Sequence, residues 1–541
     1  MKKIEKKSPR FFGIIIGLLV TFIIYYMFLP VINPTSFGFW VFVMFIIMEI
    51  WVISSFSSLF VKQGIVAKVK DLPKNTLTAW GFVIIIFMGI IITDIIISPL
   101  FNAKSYSRRI EVQEGVFTED VKEVDFTKVP LLDKDSSEKV GDRIMGQYSD
   151  YVSQFYVSND YTQINYNDEI VRVTPLEYDG FIKWLINKKN GIGAYIKVNS
   201  VNGETNLVKL DKGMKYLKSA YFNSNLTRVL RFKYPFTILG TSKFEIDNDG
   251  NPFYVTPTLG YTGVGMKKRV TGAVIFNPVT GEAQKYSLEE VPTWVDNVYP
   301  ASLVIEQVND WGTYRGGFFN SIFGQKNVVN TTEGYNYLAL EDDIYLYTGI
   351  TSVLADESNL GFILTNLRTG QTKLYNVPGA EEYSAMDSAK GQVQQMNYTS
   401  TFPLLINLNG KPTYLVSLKD NAGLVKMYAF IDVQDYQKVV VTDASLGIKK
   451  AAENYINTSN LEYVIDENNL KTKTIVVKKI TNAVIDGNTY YYITDTDNNK
   501  YIINIKVSNY IPFINANDTL EIMYYKETSI TEINKLKINW K

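Results

Sequence analysis

A chain of 541 residues is long enough for about three to five structural units at roughly 100 to 200 residues each. Its 55 Lys and Arg balance 55 Asp and Glu, which argues against a nucleic-acid binder driven by basic excess. It has neither Cys nor His, so disulfides, thiolate or imidazole metal sites, Cys nucleophiles and His-dependent triads are excluded, and neither metal nor cofactor is expected.

Three apolar runs of about the length a bilayer core demands, near 20 residues, fall within the first 101 positions: Phe11 to Ile32, Phe39 to Val61 and Ala79 to Phe101. The first exceeds a signal-peptide core and is soon followed by a second, so it reads as a retained helix. Lys2, Lys3, Lys6, Lys7 and Arg10 precede it, and Lys62, Lys68, Lys70 and Lys74 separate the second and third runs. The positive-inside rule then places the N-terminus in the cytoplasm and everything after Phe101 outside the plasma membrane. That exterior part holds 46 basic and 51 acidic residues. The expectation is a multi-pass anchor of three transmembrane helices over residues 1–101. Glu49 and Asp94 lie inside the second and third runs, where a charge costs about 2.5 to 3.5 kcal/mol on insertion scales. They are either a polar pair for ion handling or subunit docking, or protonated acids hydrogen-bonded to neighbouring helices, with Tyr25 or Tyr26 as partners.

Residues 102–165 read as a stalk and lead-in helix, with helical spacing through Val140, Ile144 and Tyr148. Ser136 and Lys139 have the Ser-x-x-Lys spacing of some acyl enzymes, but Ser136 stands in a polar setting at a helix start, which favours capping.

Over 166–443 the texture changes to short β-branched and aromatic strands between Asn, Asp and Gly turns, as in antiparallel sheets. Asp249-Gly250 and Asn409-Gly410 are hairpin signals. Val274 to Gly281, ending in Tyr286, is echoed by Ile363 to Gly370, ending in Tyr375, and the stretches Glu289–Asn297 and Ala380–Gln394 that follow look helical. A strand, turn, strand and helix unit used twice predicts an α+β region of antiparallel β/α repeats. A second echo joins Gly250-Asn251-Pro252-Phe253-Tyr254-Val255 to Gly410-Lys411-Pro412-Thr413-Tyr414-Leu415. With the apolar strand ending in Asn277-Pro278-Val279-Thr280-Gly281-Glu282, this pattern resembles the PepSY module of peptidase propeptides and membrane-anchored regulators of Gram-positive envelopes. The resemblance covers Phe244 to Tyr286 best and Ser400 to Val439 loosely, where Asp432-Val433-Gln434-Asp435 replaces Thr-Gly. It implies a peptidase-modulating or protein-binding β/α module and supplies no catalytic residue.

The densest polar and aromatic cluster provides the candidate binding residues Trp311, Tyr314, Arg315, Tyr335, Tyr337, Asp342, Asp343, Asp356 and Glu357. Such side chains suit glycan or peptide recognition, or glycosidase chemistry by a carboxylate pair; the plainer reading is strand caps and turns. Asp247 to Gly250 has the look of a calcium loop but lacks its terminal acid, so a hairpin fits better.

Residues 444–541 divide into a short helix, Ala444 to Tyr455, and five strands forming a small OB- or SH3-like barrel. Taken together, the sequence points to a membrane-anchored extracytoplasmic scaffold or regulator of the bacterial envelope that is not an enzyme. Its expected partners are the membrane, other envelope or membrane proteins, cell-wall glycan or a second copy of the chain. The alternatives are a His-independent wall-polymer hydrolase using Asp342, Asp343, Asp356 and Glu357, or a membrane-complex subunit using Glu49 and Asp94.

Overall fold

The structure, a computed structural model, describes residues 9–61, 75–353, 355–459, 471–485, 488–508, 510–524 and 528–539. They fall in two compact units, Met1–Ser459 and Asn460–Lys541.

Three helices apolar on every face open the first unit, α1 (Pro9–Phe28), α2 (Phe37–Val61) and α3 (Asn75–Ile97), with α1 packed on α2 and α2 on α3. The expectation of three transmembrane helices is corrected. Among the described residues only the stretch Thr78–Ile97 of α3 is long and apolar enough to cross a membrane. The other apolar helical stretches, Ile15–Phe28 and Phe37–Ile53, reach about 21 and 26 Å at 1.5 Å per residue, short of a hydrocarbon core of about 30 Å. The lysines between the second and third runs lie outside the described residues.

After α4 (Pro99–Tyr106), β1 (Val112–Gly115) and α5 (Phe117–Asp120) come four copies of one β/α unit. The first comprises α6 (Lys134–Met145), α7 (Ser149–Val152), β2 (Phe155–Val157), β3 (Thr162–Tyr166), β4 (Glu169–Tyr178), α8 (Phe181–Asn187), β5 (Ile192–Asn199) and β6 (Thr205–Met214). The second has α9 (Leu226–Lys233), β7 (Ile238–Leu239), β8 (Lys243–Ile246), β9 (Pro252–Gly260), β10 (Arg269–Phe276) and β11 (Ala283–Ser287). The third has α10 (Ala301–Tyr314), β12 (Val329–Thr331), β13 (Asn336–Leu340), β14 (Asp343–Ser352), β15 (Ala355–Asn366), β16 (Thr372–Tyr375) and β17 (Gly379–Ala380). The fourth has α11 (Glu382–Gly391), β18 (Thr399–Ser400), β19 (Leu404–Leu408), β20 (Lys411–Lys419), β21 (Val425–Asp432) and β22 (Val439–Asp443), closed by α12 (Ile448–Thr458) against β22.

In each unit two short strands share one edge of the first long strand, and two further antiparallel strands follow. The same chemistry sets the turns. At the end of the second long strand Asn199, Asn277, Asn366 or Asp432 turns its side-chain oxygen back onto two backbone N–H groups ahead, an Asx turn. Four units therefore stand where two were expected, and the region expected to be a stalk supplies α6, β2 and β3 of the first. The stretch Glu289–Asn297 is not helical. A 3-10 turn at Leu288–Glu290 is closed by a Ser287–Glu290 capping box, and Pro292 prevents its continuation. The first two units share one core, in which Phe244 lies 5.7 Å from Tyr195 and 5.6 Å from Tyr254.

The second unit is a six-strand path, one more than expected: β23 (Lys471–Ile485), β24 (Asn488–Asp495), β25 (Lys500–Asn504), β26 (Thr519–Tyr524), β27 (Thr531–Glu532) and β28 (Lys535–Asn539), in the order β27-β25-β24-β23-β26-β28. The long β23 pairs with β26 through its first half and β24 through its second. Among the described residues no pairing joins β27 to β28, the two ends of the path, where a small OB- or SH3-like barrel of five strands was expected.

Candidate functional site

The short edge strands of the third and fourth β/α units converge. β13 and β19 lie near one another, and the segment Asp120–Pro130 crosses above them. Its Val124 N–H donates to the Asn407 carbonyl at 2.9 Å, and the Asn407 side-chain amide donates to the Val121 carbonyl at 2.7 Å. Glu123 bridges to Asn407 in parallel register and accepts the N–H groups of Asn409 and Gly410 at 2.8 and 3.4 Å. Residues 121–124 thus lie as extended backbone along β19. Lys122 pairs with Glu341 at 3.2 Å, Lys128 with Asp168 at 2.5 Å, and Asp120 with Lys373 at 2.7 Å.

Beneath this strap is a cavity of about 150 Å³ whose walls mix apolar side chains, Val121, Val124 and Leu338, with charged ones, Glu123, Lys128 and Glu341, among others. Its volume matches one benzene-sized group. Asn407 Oδ1 at the wall is buried and has no hydrogen-bond partner among the described residues. Burial pushes the Glu123 carboxyl up, against the pull of the two turn N–H groups.

Beside the cleft the first three units meet at a buried acid pair. Glu245 on β8 accepts the N–H groups of Asp296 and Asn297 at 2.9 and 3.1 Å, and Asp296 accepts the Asn165 N–H at 2.7 Å. Asn165 in turn donates to the Glu341 carbonyl at 3.2 Å. Glu245 is 0 % and Asp296 1 % exposed. Burial pushes Glu245 up to about 7 and raises Asp296 well above the carboxylate range, with Glu245 itself the next cause. Neither carboxyl reaches solvent, so the pair joins units and does not act on a polymer.

The expected binding residues do not form one surface. Trp311 and Arg315 lie on the end of α10, with the guanidinium 4.9 Å over the indole and bonded to the Asn327 carbonyl. Tyr314 meets Tyr106, edge to face at 5.9 Å. Tyr335 is exposed, but its neighbour Tyr337 at 5.7 Å packs against the third unit's core. Asp343 is held by Arg368 in a bidentate pair at 2.7 Å and by Asn366, while Asp342 stands exposed at the β13–β14 turn. Asp356 and Glu357 begin β15, and their side chains lie outside the described residues. Among the N-terminal helices Glu49 accepts the Thr21 hydroxyl at 2.6 Å, while Tyr26 bonds to Asn223. No hydrogen bond joins Glu49 to Asp94 among the described residues. The cap of α6 is Asp133, which accepts the Ser136 N–H; Ser136 and Lys139 bond to the Gly423 and Ala422 carbonyls.

Sequence reasoning missed the strap and the acid pair. Val121 and Val124 stand among charges, and Glu245 sits singly between Phe244 and Ile246 in a four-residue strand. The Asn-x-x-x-Gly spacing at Asn199 to Gly203, Asn277 to Gly281 and Asn366 to Gly370 was a usable signal for the extra unit.

Compared with protein-family models and with curated proteins, the chain matches none.

Proposed function

We propose that this chain is a membrane-attached extracytoplasmic binding protein of the bacterial envelope that takes an extended polypeptide on β19 in exchange for its own residues 121–124. The observation that carries this is the strap itself: residues 121–124 make a single parallel bridge to β19, at Glu123 and Asn407, over a cavity of about 150 Å³. Main-chain pairing supplies affinity in such strand addition, and a pocket for one side chain supplies selectivity. One aliphatic or aromatic anchor fills the space. Attachment is through α3, the helix long and apolar enough to cross a membrane. The lysines at 62, 68, 70 and 74 before it, against Lys104, Arg108 and Arg109 after it, favour a cytoplasmic N-terminal flank. The PepSY-like strands around Phe244 to Tyr286 agree with a protein-binding or peptidase-modulating role.

The test is fluorescence anisotropy on the detergent-solubilised full chain, with labelled extended peptides that carry one central Leu or Phe. Saturable binding is expected, weakened in Leu340→Trp, whose larger side chain narrows the cavity that Leu340 lines, with circular dichroism confirming that the variant is folded. Peptides that bind equally well when the central residue is Ser, or that ignore Leu340→Trp in the folded variant, overturn the reading.

A further inference from the structure

The joint between the helices and the β/α units carries an apolar, basic surface. α9 sits on the end of α1: Arg228 Nε donates to the Tyr26 carbonyl at 3.3 Å, and Arg231 Nε donates to the Leu29 carbonyl at 3.1 Å. These satisfy carbonyls that a helix end leaves without partners. The Arg228 guanidinium also lies 4.2 Å over the Tyr26 ring. Next to it the Ile32 N–H donates to the Pro235 carbonyl, Asn33 donates to the Phe236 carbonyl, and Gly265 donates to the Thr35 carbonyl. Ile97, at the end of α3, lies against Gly263, where an added Cβ would stand 2.9 Å away. The loop from α1 to α2, the end of α3 and α9 therefore share one level.

At that level the first two β/α units turn large apolar side chains outward. Phe236 is 67 % exposed beyond α9, Phe222 55 % ahead of it, and Ile182 and Ile186 are 61 and 69 % exposed on α8. Phe181 ties the two patches together, its ring 5.1 Å from Tyr221 and 6.3 Å from Phe222. Residues 180–191 and 221–236 contain Lys183, Lys188, Lys189, Arg228, Arg231 and Lys233 and no acid, although the chain after Phe101 is acidic overall. Aromatic and aliphatic side chains flanked by Lys and Arg suit the headgroup layer, where the apolar groups sink about 5 to 10 Å and the cations meet anionic lipid.

We infer that α8, the Tyr221–Phe222 turn and the α9–Phe236 segment dock onto the bilayer surface at the leaflet where the C-terminal end of α3 emerges, so that the first two β/α units lie on the membrane. This rests on the reading that α3 crosses a bilayer. It places Ile182, Ile186, Phe222 and Phe236 among lipid headgroups, with Lys188, Lys189 and Lys233 facing phosphates.

Because the chain has no Cys, single labels report cleanly. Ile186→Cys, Ile85→Cys on α3 and Lys411→Cys on the fourth unit are each labelled with an environment-sensitive fluorophore. The full chain is then placed in vesicles of phosphatidylcholine and phosphatidylglycerol that carry doxyl-lipid quenchers. Loss of fluorescence is expected at position 186 with a shallow quencher and at 85 with a deep one, and none at 411. A label at 186 that stays as bright as the one at 411, while 85 is quenched, overturns the inference alone. If 85 is also unquenched, the membrane crossing itself fails.

Discussion

Glu245→Gln tests the acid pair that joins the first three units. In the folded chain Glu245 holds its proton up to about 7, against an ordinary 4.5, because burial opposes its charge. The unfolded chain releases that proton near 4.5, so the contribution is fully present below that pH and is lost as pH rises through about 7. At 1.36 kcal/mol per pH unit the interval is worth about 3 kcal/mol. Asp296, raised by the same burial and by Glu245, acts in the same direction. Asp343 and Asp342 add to its rise, and Lys243 opposes that of Glu245. Gln cannot titrate, and its removal of one negative charge also eases Asp296 toward the ordinary range. Urea unfolding followed by tryptophan fluorescence is the assay, since the Trp294 ring lies 5.1 Å from that of Phe253, the cross-strand partner of Glu245. Between pH 5 and 8 the wild-type chain should lose about 3 kcal/mol more stability than the variant. Any constant offset from the lost acceptor, about 1 to 3 kcal/mol, cancels in that comparison. Parallel pH profiles for the two proteins would refute the assignment of a proton to this pair at neutral pH.

Tyr414→Phe removes a buried hydroxyl that donates to the Ala380 carbonyl at 3.0 Å and accepts from Asn359 at 3.3 Å; a loss of about 1 to 3 kcal/mol in the same unfolding assay is expected. Asp343→Asn breaks the bidentate pair with Arg368, whose side chains are 14 and 22 % exposed, and should cost about 2 kcal/mol. A hydrolase reading would instead require that variant to fold normally and lose a wall-degrading activity. Gly312→Ala places a methyl group against the Val329 carbonyl, where α10 packs on β12. Overpacking there should lower stability by about 1 to 3 kcal/mol, read as a lower melting temperature.

The β-rich repeats were legible because their turns require particular residues. Asn409 and Gly410 both adopt positive φ, 55° and 69°, and Asn-Gly is the pair that tolerates this at a two-residue turn. The first unit hid its turn in Asn167-Asp168, which takes the same left-handed path, φ 51° and 70°, without a glycine to announce it. The acid pair was not legible at all, because Glu245 and Asp296 are 51 residues apart and only the packing of three units brings them together. The binding cluster over Trp311 to Tyr337 misled for the opposite reason. Sequence proximity gathered aromatics that the fold divides between the end of α10 and β13. Counting apolar residues likewise overstated the helices, whose described apolar stretches at Ile15–Phe28 and Phe37–Ile53 stop short of a full crossing.

The two arginines of α9 give the chain a mechanical character. Arg228 and Arg231 grip the last turn of α1 at Tyr26 and Leu29, and Leu226 and Leu230 on the same short helix are buried in the core shared by the first two units. A tilt of the N-terminal helix is therefore expected to reach both units through these two arginines. Softening that grip, for instance with Arg231→Met, would leave the units folded yet let the helix pivot independently, as a tether rather than a crank.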